Sequence, residues 1–214
     1  MKNNTLKLRF DLLTESQRQI FLKLKEIAPG GVLGGGTAIM LLAGHRKSFD
    51  FDVFLAQPLK KQLLLSVKAL FGKKLERPLV DSVDELSLQI SQNTKISFIH
   101  FPFKPLYKTI FTDSIPLFAK EDLASNKAYA IGRRGVWRDY VDLFYLLKNG
   151  LKFEKVVRDA QKRFGGTFSE KLFFEQLTYF GDISDFTIEY IGEEHTISEI
   201  QGYFRQLVKK LLHF

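Results

Sequence analysis

A short segment that carries two carboxylates with the period of a β-strand most constrains this 214-residue chain. Residues 48–55 read Ser-Phe-Asp-Phe-Asp-Val-Phe-Leu, so polar and apolar side chains alternate. That alternation is typical of a strand with one buried face and one accessible face. Asp50 and Asp52 are therefore expected to point the same way, close enough together to share one Mg²⁺ ion.

A glycine-rich turn precedes this strand by one short helix. Residues 32–33 predict a strand, glycines occupy positions 34–36, and residues 37–43 favour a helix that ends near Gly44. Glycine lets backbone amides approach an anion closely, and a helix N-terminus adds partial positive charge. Each part alone is also compatible with a plain tight turn or a solvated strand edge. Their order predicts a place where phosphates and a metal ion meet.

The other periodic segments predict an α/β N-terminal half and a helical C-terminal half. A helix opens at Thr14, where Thr14 and Gln17 have capping-box spacing, and it stops at Pro29. Further helices are expected at 59–71, 121–132, 137–148, 152–164, 169–179 and 197–213. Further strands are expected at 75–80, 86–90 and 96–101, with a weaker pattern at 186–191. We therefore expect an α/β lobe with a mixed sheet at 1–119 and a helical lobe at 120–214.

Local signals mark several boundaries between these elements. Gln92-Asn93 predicts a turn between two strands, and Gly165-Gly166 separates two helices. Capping-box spacings at Thr167/Glu170 and Thr196/Glu199 predict two further helix starts.

Composition indicates a folded protein with a polyanionic partner. Hydrophobic residues make up 45% of the chain and charged residues 26%, as in ordinary soluble domains. The net charge of +8 favours RNA or a nucleotide, although many basic proteins bind neither. Without cysteine, and with four histidines that show no ligand-like spacing, the chain is expected to bind no zinc. Because there is neither a long apolar run nor a signal-peptide pattern, we expect a cytoplasmic protein.

Two ordered blocks of sequence resemble a known family. The first combines Gly-Gly-Thr-Ala-Ile at 35–39 with His-Arg-Lys-Ser-Phe-Asp-Phe-Asp at 45–52. The second combines Asp-Leu-Ala-Ser-Asn-Lys at 122–127 with Arg-Asp-Tyr-Val-Asp-Leu at 138–143. Together they resemble the AbiEii/AbiGii toxin family of nucleotidyltransferases, which belongs to the DNA-polymerase-β-like superfamily. The resemblance covers residues 30–148. It implies the polymerase-β-like nucleotidyltransferase fold, in which the helical lobe at 120–214 would complete the active-site cleft.

The resemblance implies a role for each matching residue. Asp50 and Asp52 would bind the metal ion and act in catalysis, Lys127 would contact the triphosphate, and Asp142 would complete the catalytic set. The residues implied to bind the nucleotide are Gly35, Gly36, Thr37, Arg46, Ser48 and Lys127. The resemblance also implies Mg²⁺ or Mn²⁺ as cofactor, a nucleoside triphosphate (ATP, GTP or CTP) as substrate, an RNA acceptor such as tRNA, and a cognate antitoxin as partner.

One position departs from the pattern of the superfamily. Polymerase-β-like enzymes carry a third carboxylate on a later strand, and the corresponding residue here is Ser97. A hydroxyl is a weaker metal ligand and a poorer base than a carboxylate. Asp139 and Asp142 are three residues apart on one predicted helix, so either could face the site.

Three arginines are candidates for RNA or phosphate contacts, and they also have a structural interpretation. Arg133 and Arg134 could hold RNA or face solvent, and Arg138 could form an ordinary i,i+4 ion pair with Asp142. Phosphoryl transfer at the same carboxylates, and nucleotide or RNA binding with weakened catalysis, stay open as alternatives.

Overall fold

The computed structural model describes residues 7–72, 75, 78–91 and 94–212. By its internal contacts the chain divides into two compact units. Unit 1 contains the chain through Gly44 together with Ser48–Lys104 and Lys108–Ala119. Unit 2 contains His45–Lys47, Pro105–Tyr107 and the chain from Lys120 onward. Two short segments that precede the helical part of the sequence thus belong to unit 2.

Unit 1 is built on a five-stranded sheet with strand order β1-β2-β5-β4-β3. The strands are β1 (Val32–Gly34), β2 (Phe51–Leu55), β3 (Pro78–Asp81), β4 (Glu85–Ser91) and β5 (Thr94–His100). Strands β2 and β5 are parallel, and the other neighbouring pairs are antiparallel. The predicted mixed sheet is therefore confirmed. The predicted turn at Gln92-Asn93 lies outside the described residues.

Three helices accompany the sheet: α1 (Glu15–Ile27), α2 (Gly35–Ala43) and α3 (Leu63–Phe71). The predicted capping box of α1 is present, because the Thr14 side chain accepts from the Gln17 amide and Gln17 returns a contact to the Thr14 amide. Helix α2 begins at Gly35, two residues before the predicted start, and ends at Gly44 in the left-handed conformation. Helix α3 begins four residues later than predicted.

The central strands of the sheet have one apolar face and one polar face. The apolar face is buried, as its alternating residues predict, and consists of Phe51, Val53, Leu86, Leu88, Ile96 and Phe98. On this side the ring of Phe51 stacks at 6.2 Å on that of Phe21 in α1. The opposite face, called the polar face below, carries Asp52, Glu85, Ser87, Gln89, Lys95 and Ser97, with Asp50 immediately before β2.

Unit 2 contains the five helices expected for the second half of the chain. They are α4 (Lys120–Ile131), α5 (Trp137–Lys148), α6 (Phe153–Phe164), α7 (Glu170–Thr178) and α8 (Ile197–Leu212). The capping box at Thr196/Glu199 is confirmed. The one predicted at Thr167/Glu170 is wrong, because Ser169 caps α7 by accepting from the Leu172 amide. None of the described helices combines the length and apolar character that a membrane crossing requires.

The strand predicted at 186–191 is wrong. Its alternating pattern is present, but within the described part of the chain the segment pairs only through an isolated bridge between Tyr190 and Arg46. Lys47 donates its amide to the Glu189 carbonyl and Ile191 donates to the His45 carbonyl, at 2.8 and 3.0 Å. Because the partner in unit 2 is only the segment 45–47, a longer ladder does not form.

Candidate active site

The two carboxylates of the strand motif lie on the polar face of unit 1. Asp52 is in β2, between Gly34 of β1 and Ser97 of β5. Asp50 lies just outside the strand, where its Oδ1 accepts the Lys95 amide at 3.2 Å and its Oδ2 lies 3.8 Å from Lys95 Nζ. Its side chain is 37% exposed. The neighbouring amide and ammonium therefore hold the Asp50 side chain against the start of β5.

The donor set of these two carboxylates suits Mg²⁺ or Mn²⁺. Mg²⁺ in proteins is often bound by one or two carboxylates together with water and substrate phosphates. Among residues 7–72, 75, 78–91 and 94–212, no cluster of three or more His, Cys, Asp or Glu side chains could hold a metal ion. Asp50 and Asp52 could supply two hard oxygen ligands, with the phosphates of a nucleotide as further ligands.

The glycine turn lies directly against the second carboxylate. Gly35 has a φ of +62°, and a Cβ atom added there would lie 1.9 Å from Oδ2 of Asp52. Such a separation is far below van der Waals contact, so only glycine permits this approach. The turn and the carboxylate predicted to lie side by side are thus in contact through this residue.

A buried hydroxyl connects helix α2 to the segment that carries Asp50. Thr37 is fully buried, and its Oγ1 donates a hydrogen bond to the Asp50 carbonyl. Oγ1 also lies 3.0 Å from the hydroxyl of Ser48. Because a hydroxyl has one hydrogen, Ser48 donates in this second contact. Thr37 and Ser48 were predicted to bind nucleotide; here they fix the backbone beside Asp50, and their contact with nucleotide stays a prediction.

Thr37→Val is expected to lower the free energy of unfolding by about 1–3 kcal/mol, because it leaves the Asp50 carbonyl without its donor in a buried place. The substitution keeps the branched shape of the side chain. Urea unfolding measures the change, with Thr37→Ser as the control that keeps the hydroxyl. Equal stability of the Val and Ser variants would contradict this role for the hydroxyl.

Unit 2 contains a buried ion cluster formed by His45, Arg46, Lys127, Asp139 and Asp142. Arg46 donates from Nε to Oδ1 and from Nη2 to Oδ2 of Asp142, at 2.7 and 2.8 Å. Lys127 Nζ lies 2.6 Å from Asp139 Oδ1 and 2.7 Å from Asp142 Oδ2. His45 Nε2 lies 2.7 Å from Asp142 Oδ1. All five residues are buried, and Asp142 is at the centre.

The charges of the buried ion cluster support one another. Burial acts to raise the pKa of Asp142, but Arg46, Lys127 and the His45 hydrogen bond outweigh it and hold the pKa well below its ordinary value. Burial acts to lower the pKa of Lys127, and the carboxylates Asp139 and Asp142 reverse this, so that the pKa is raised. Asp142 and Lys127 are therefore both charged at neutral pH. The predicted contact of Lys127 with the triphosphate and the predicted catalytic role of Asp142 stay predictions.

The sequence left open whether Asp139 or Asp142 faces the site. In the structure both carboxylates form ion pairs with Lys127. The i,i+4 ion pair considered for Arg138 and Asp142 is wrong: among the described residues Asp142 forms ion pairs with Arg46 and Lys127 and a hydrogen bond with His45. One of these partners, Arg46, is 96 positions away in the sequence.

The candidate RNA-contacting arginines lie near the start of α5 in unit 2. Arg133 stacks its guanidinium 3.5 Å from the centre of the Tyr129 ring and donates to the Tyr129 carbonyl. Arg134 lies 3.3 Å from Asp139 with 64% of its side chain exposed, and Arg138 is also exposed. Their contacts with RNA stay predictions.

Residues Glu85 and Ser87 of the polar face were not recognised from the sequence. Ser87 Oγ lies 2.6 Å from Glu85 Oε1 and 2.8 Å from Ser97 Oγ. Their signal was present, because Glu85, Ser87 and Gln89 alternate with apolar residues along β4. The pairing of β4 with β5 was needed to bring this row beside Ser97.

The chain is similar in sequence and in fold to known proteins. The family model described as nucleotidyl transferase AbiEii toxin, type IV toxin–antitoxin system, matches residues 22–213. An uncharacterized protein of Aquifex aeolicus is 29% identical over 184 residues, which are 84% of this chain and 87% of that protein. The nucleotidyltransferase toxin MenT4 of Mycobacterium tuberculosis has a TM-score of 0.63 at 16% identity, over 93% of this chain and 82% of that one. JHP933 of Helicobacter pylori has a TM-score of 0.55 at 17% identity, over 96% and 95% of the two chains.

Proposed function

Because the chain belongs to the AbiEii family of nucleotidyl transferase toxins of type IV toxin–antitoxin systems and is a nucleotidyltransferase, we propose that it moves a nucleotidyl group from a nucleoside triphosphate to a hydroxyl of an RNA acceptor such as tRNA. The reaction joins the α-phosphorus to the acceptor oxygen and releases pyrophosphate. The proposed site is in unit 1 and consists of the Gly35 turn, Asp50 and Asp52.

The contact between Gly35 and Asp52 carries this proposal. Space for a Cβ is absent at Gly35 because the Asp52 carboxylate occupies it, 1.9 Å from the position the Cβ would take. A turn without side chains can admit a phosphate, and the adjacent carboxylate can hold the cation that accompanies it. When bound, Mg²⁺ or Mn²⁺ would neutralise the charge that develops on the transferred phosphate. Thr37 and Lys95 support the site by fixing the backbone and the side chain of Asp50.

Two features support the choice of partners. The net charge of +8 favours a polyanionic acceptor, since Lys and Arg raise the local concentration of phosphate-bearing ligands. The family description includes a type IV toxin–antitoxin system, so a cognate antitoxin is the protein partner we propose.

Purified protein incubated with Mg²⁺, total RNA and each α-labelled nucleoside triphosphate is expected to label RNA. Asp50→Asn should reduce the label at least about tenfold, because changes close to a metal site typically cost 10–100-fold. Asp81→Asn removes an exposed carboxylate from the edge strand β3 and is the matched control, with label equal to the wild type.

The same assay separates the alternatives. Label that reaches the acceptor only from γ-labelled nucleotide would indicate phosphoryl transfer. Nucleotide binding without label from any nucleotide would indicate a binding module, and it would contradict the proposed reaction.

A further inference from the structure

Three side chains on the polar face form a continuous row of hydrogen bonds that ends beside Asp52. Ser97 of β5 is paired in register with Asp52 of β2 on one side and with Ser87 of β4 on the other. Side chains paired in this way lie on the same face with Cβ atoms about 5 Å apart. Ser87 in turn contacts Glu85, two residues along the same strand. The row therefore runs from Asp52 past Ser97 and Ser87 to Glu85.

The distances in this row determine the direction of its hydrogen bonds. Ser87 Oγ lies 2.6 Å from Glu85 Oε1 and 2.8 Å from Ser97 Oγ, but it has one hydrogen. A carboxylate only accepts, so Ser87 donates to Glu85 and Ser97 must donate to Ser87. Ser97 Oγ consequently uses its hydrogen toward Ser87, and its lone pairs can accept a proton beside its register partner Asp52. Both serines are buried, which protects the row from competing water.

We propose that Ser97 accepts the proton of the attacking acceptor hydroxyl and that Glu85 is the final proton acceptor, reached through Ser87. This inference rests on the proposed function of the Asp50 and Asp52 site. In polymerase-β-like enzymes a carboxylate would be expected at the position of Ser97. Here Ser97, Ser87 and Glu85 together would accept the proton in its place. Ser97 is the catalytic residue of the row, and Ser87 and Glu85 act through it.

The proposed step exchanges one bond at the α-phosphorus for another and moves one proton along the row. The acceptor oxygen forms a bond to the α-phosphorus, while the bond from the α-phosphorus to the bridging oxygen breaks and pyrophosphate leaves with the electron pair. The acceptor proton passes to Ser97 Oγ, the Ser97 proton passes to Ser87 Oγ, and the Ser87 proton passes to the Glu85 carboxylate. Each serine ends the step as a neutral hydroxyl, and Glu85 ends it protonated.

Glu85→Gln tests the row because a glutamine oxygen can still accept from Ser87 but cannot hold the proton. Under single-turnover conditions we expect the rate of transfer to fall about 100-fold, the lower part of the range for general base catalysis. The KM for the nucleotide should change less than about threefold, because the row acts on the acceptor proton and not on substrate binding. Asp84→Asn removes the neighbouring carboxylate, which is 70% exposed, and should leave the rate unchanged.

A second variant distinguishes proton transfer from a structural role. Ser97→Asp supplies a carboxylate at the position of the first acceptor, so Glu85→Gln in that background should change the rate less than about threefold. A loss from Glu85→Gln that persists in the Ser97→Asp background would overturn the proposal and assign Glu85 to structure. Thermal unfolding of each variant identifies loss of fold.

The remaining outcomes separate this inference from the proposed function. Wild-type transfer that Asp50→Asn abolishes and Glu85→Gln leaves intact would overturn the relay alone. Absence of transfer by the wild type with every nucleotide would overturn the proposed function and the relay together.

Discussion

Asp142→Asn is expected to lower the free energy of unfolding by about 3–5 kcal/mol, the usual cost of removing one partner from a buried ion cluster. Asp142 accepts hydrogen bonds from Arg46 and His45 and pairs with Lys127, and its side chain is fully buried. An amide of the same shape would leave the guanidinium and ammonium groups without their shared counter-charge. Lys127 would keep Asp139, whereas Arg46 would lose both of its contacts with a carboxylate.

Urea unfolding measures this change, and Glu175→Gln is its control. Glu175 forms an exposed i,i+4 pair with Lys171 at 3.9 Å, also in unit 2, and such pairs contribute little. The two substitutions remove the same kind of charge from opposite environments. Equal stability of Asp142→Asn and Glu175→Gln would contradict the buried ion cluster as a stabilising element.

The loss of stability in Asp142→Asn is expected to depend on pH. The pKa of Asp142 in the folded protein lies well below its ordinary value, because Arg46 and Lys127 outweigh the effect of burial. A carboxylate whose pKa is lowered by folding stabilises the folded state at pH values above its pKa in the unfolded chain, which is about 3.9 for aspartate. This contribution is lost as the pH falls toward the pKa in the folded protein. The difference between wild type and Asp142→Asn should therefore be constant near neutral pH and narrow below about pH 4.

Elements with local signals could be predicted from the sequence. The capping box at Thr14 and Gln17 uses groups three residues apart, and Gly44 ends α2 because the chain needs a left-handed residue there. The alternation at residues 48–55 predicted a strand, which is present at Phe51–Leu55, so Asp52 lies within it and Asp50 just before it. In each case the deciding contacts lie within one turn or one strand.

Features that depend on distant partners could not be predicted in this way. Arg46 and Asp142 are 96 positions apart, so helix periodicity suggested Arg138, four residues away, as the partner. Residues 186–191 have the pattern of a strand but meet only a short segment around Arg46. Ser97 was recognised as a departure from the superfamily, whereas its connection to Glu85 depends on the register between β4 and β5. Strand pairing and ion pairing across the chain are set by tertiary packing.

Gly35→Ala is expected to reduce nucleotidyl transfer more than about 100-fold, beyond the 10–100-fold range typical of groups that only support a metal site. The new Cβ would lie 1.9 Å from Oδ2 and 2.8 Å from Cγ of Asp52, so either the carboxylate or the turn must move. Transfer depends strongly on the placement of its charged groups, and a shift of about 1 Å can cost about 100-fold. The loss should therefore resemble that of Asp52→Asn, measured with the same α-labelled nucleotide.

Gly72→Ala is the control that distinguishes the contact of the new Cβ with Asp52 from the strain of alanine at a positive φ. Gly72 has a φ of +57°, close to the +62° of Gly35, but a Cβ there would meet no atom within 4 Å. Both alanines bear the cost of a positive φ, which glycine alone adopts readily, and only Gly35→Ala forces the turn and the Asp52 carboxylate apart. Gly72→Ala should keep its transfer rate after correction for folded protein. If Gly35→Ala transferred as well as Gly72→Ala, transfer could not depend on the contact between the turn and the Asp52 carboxylate, because the alanine would have forced the two apart.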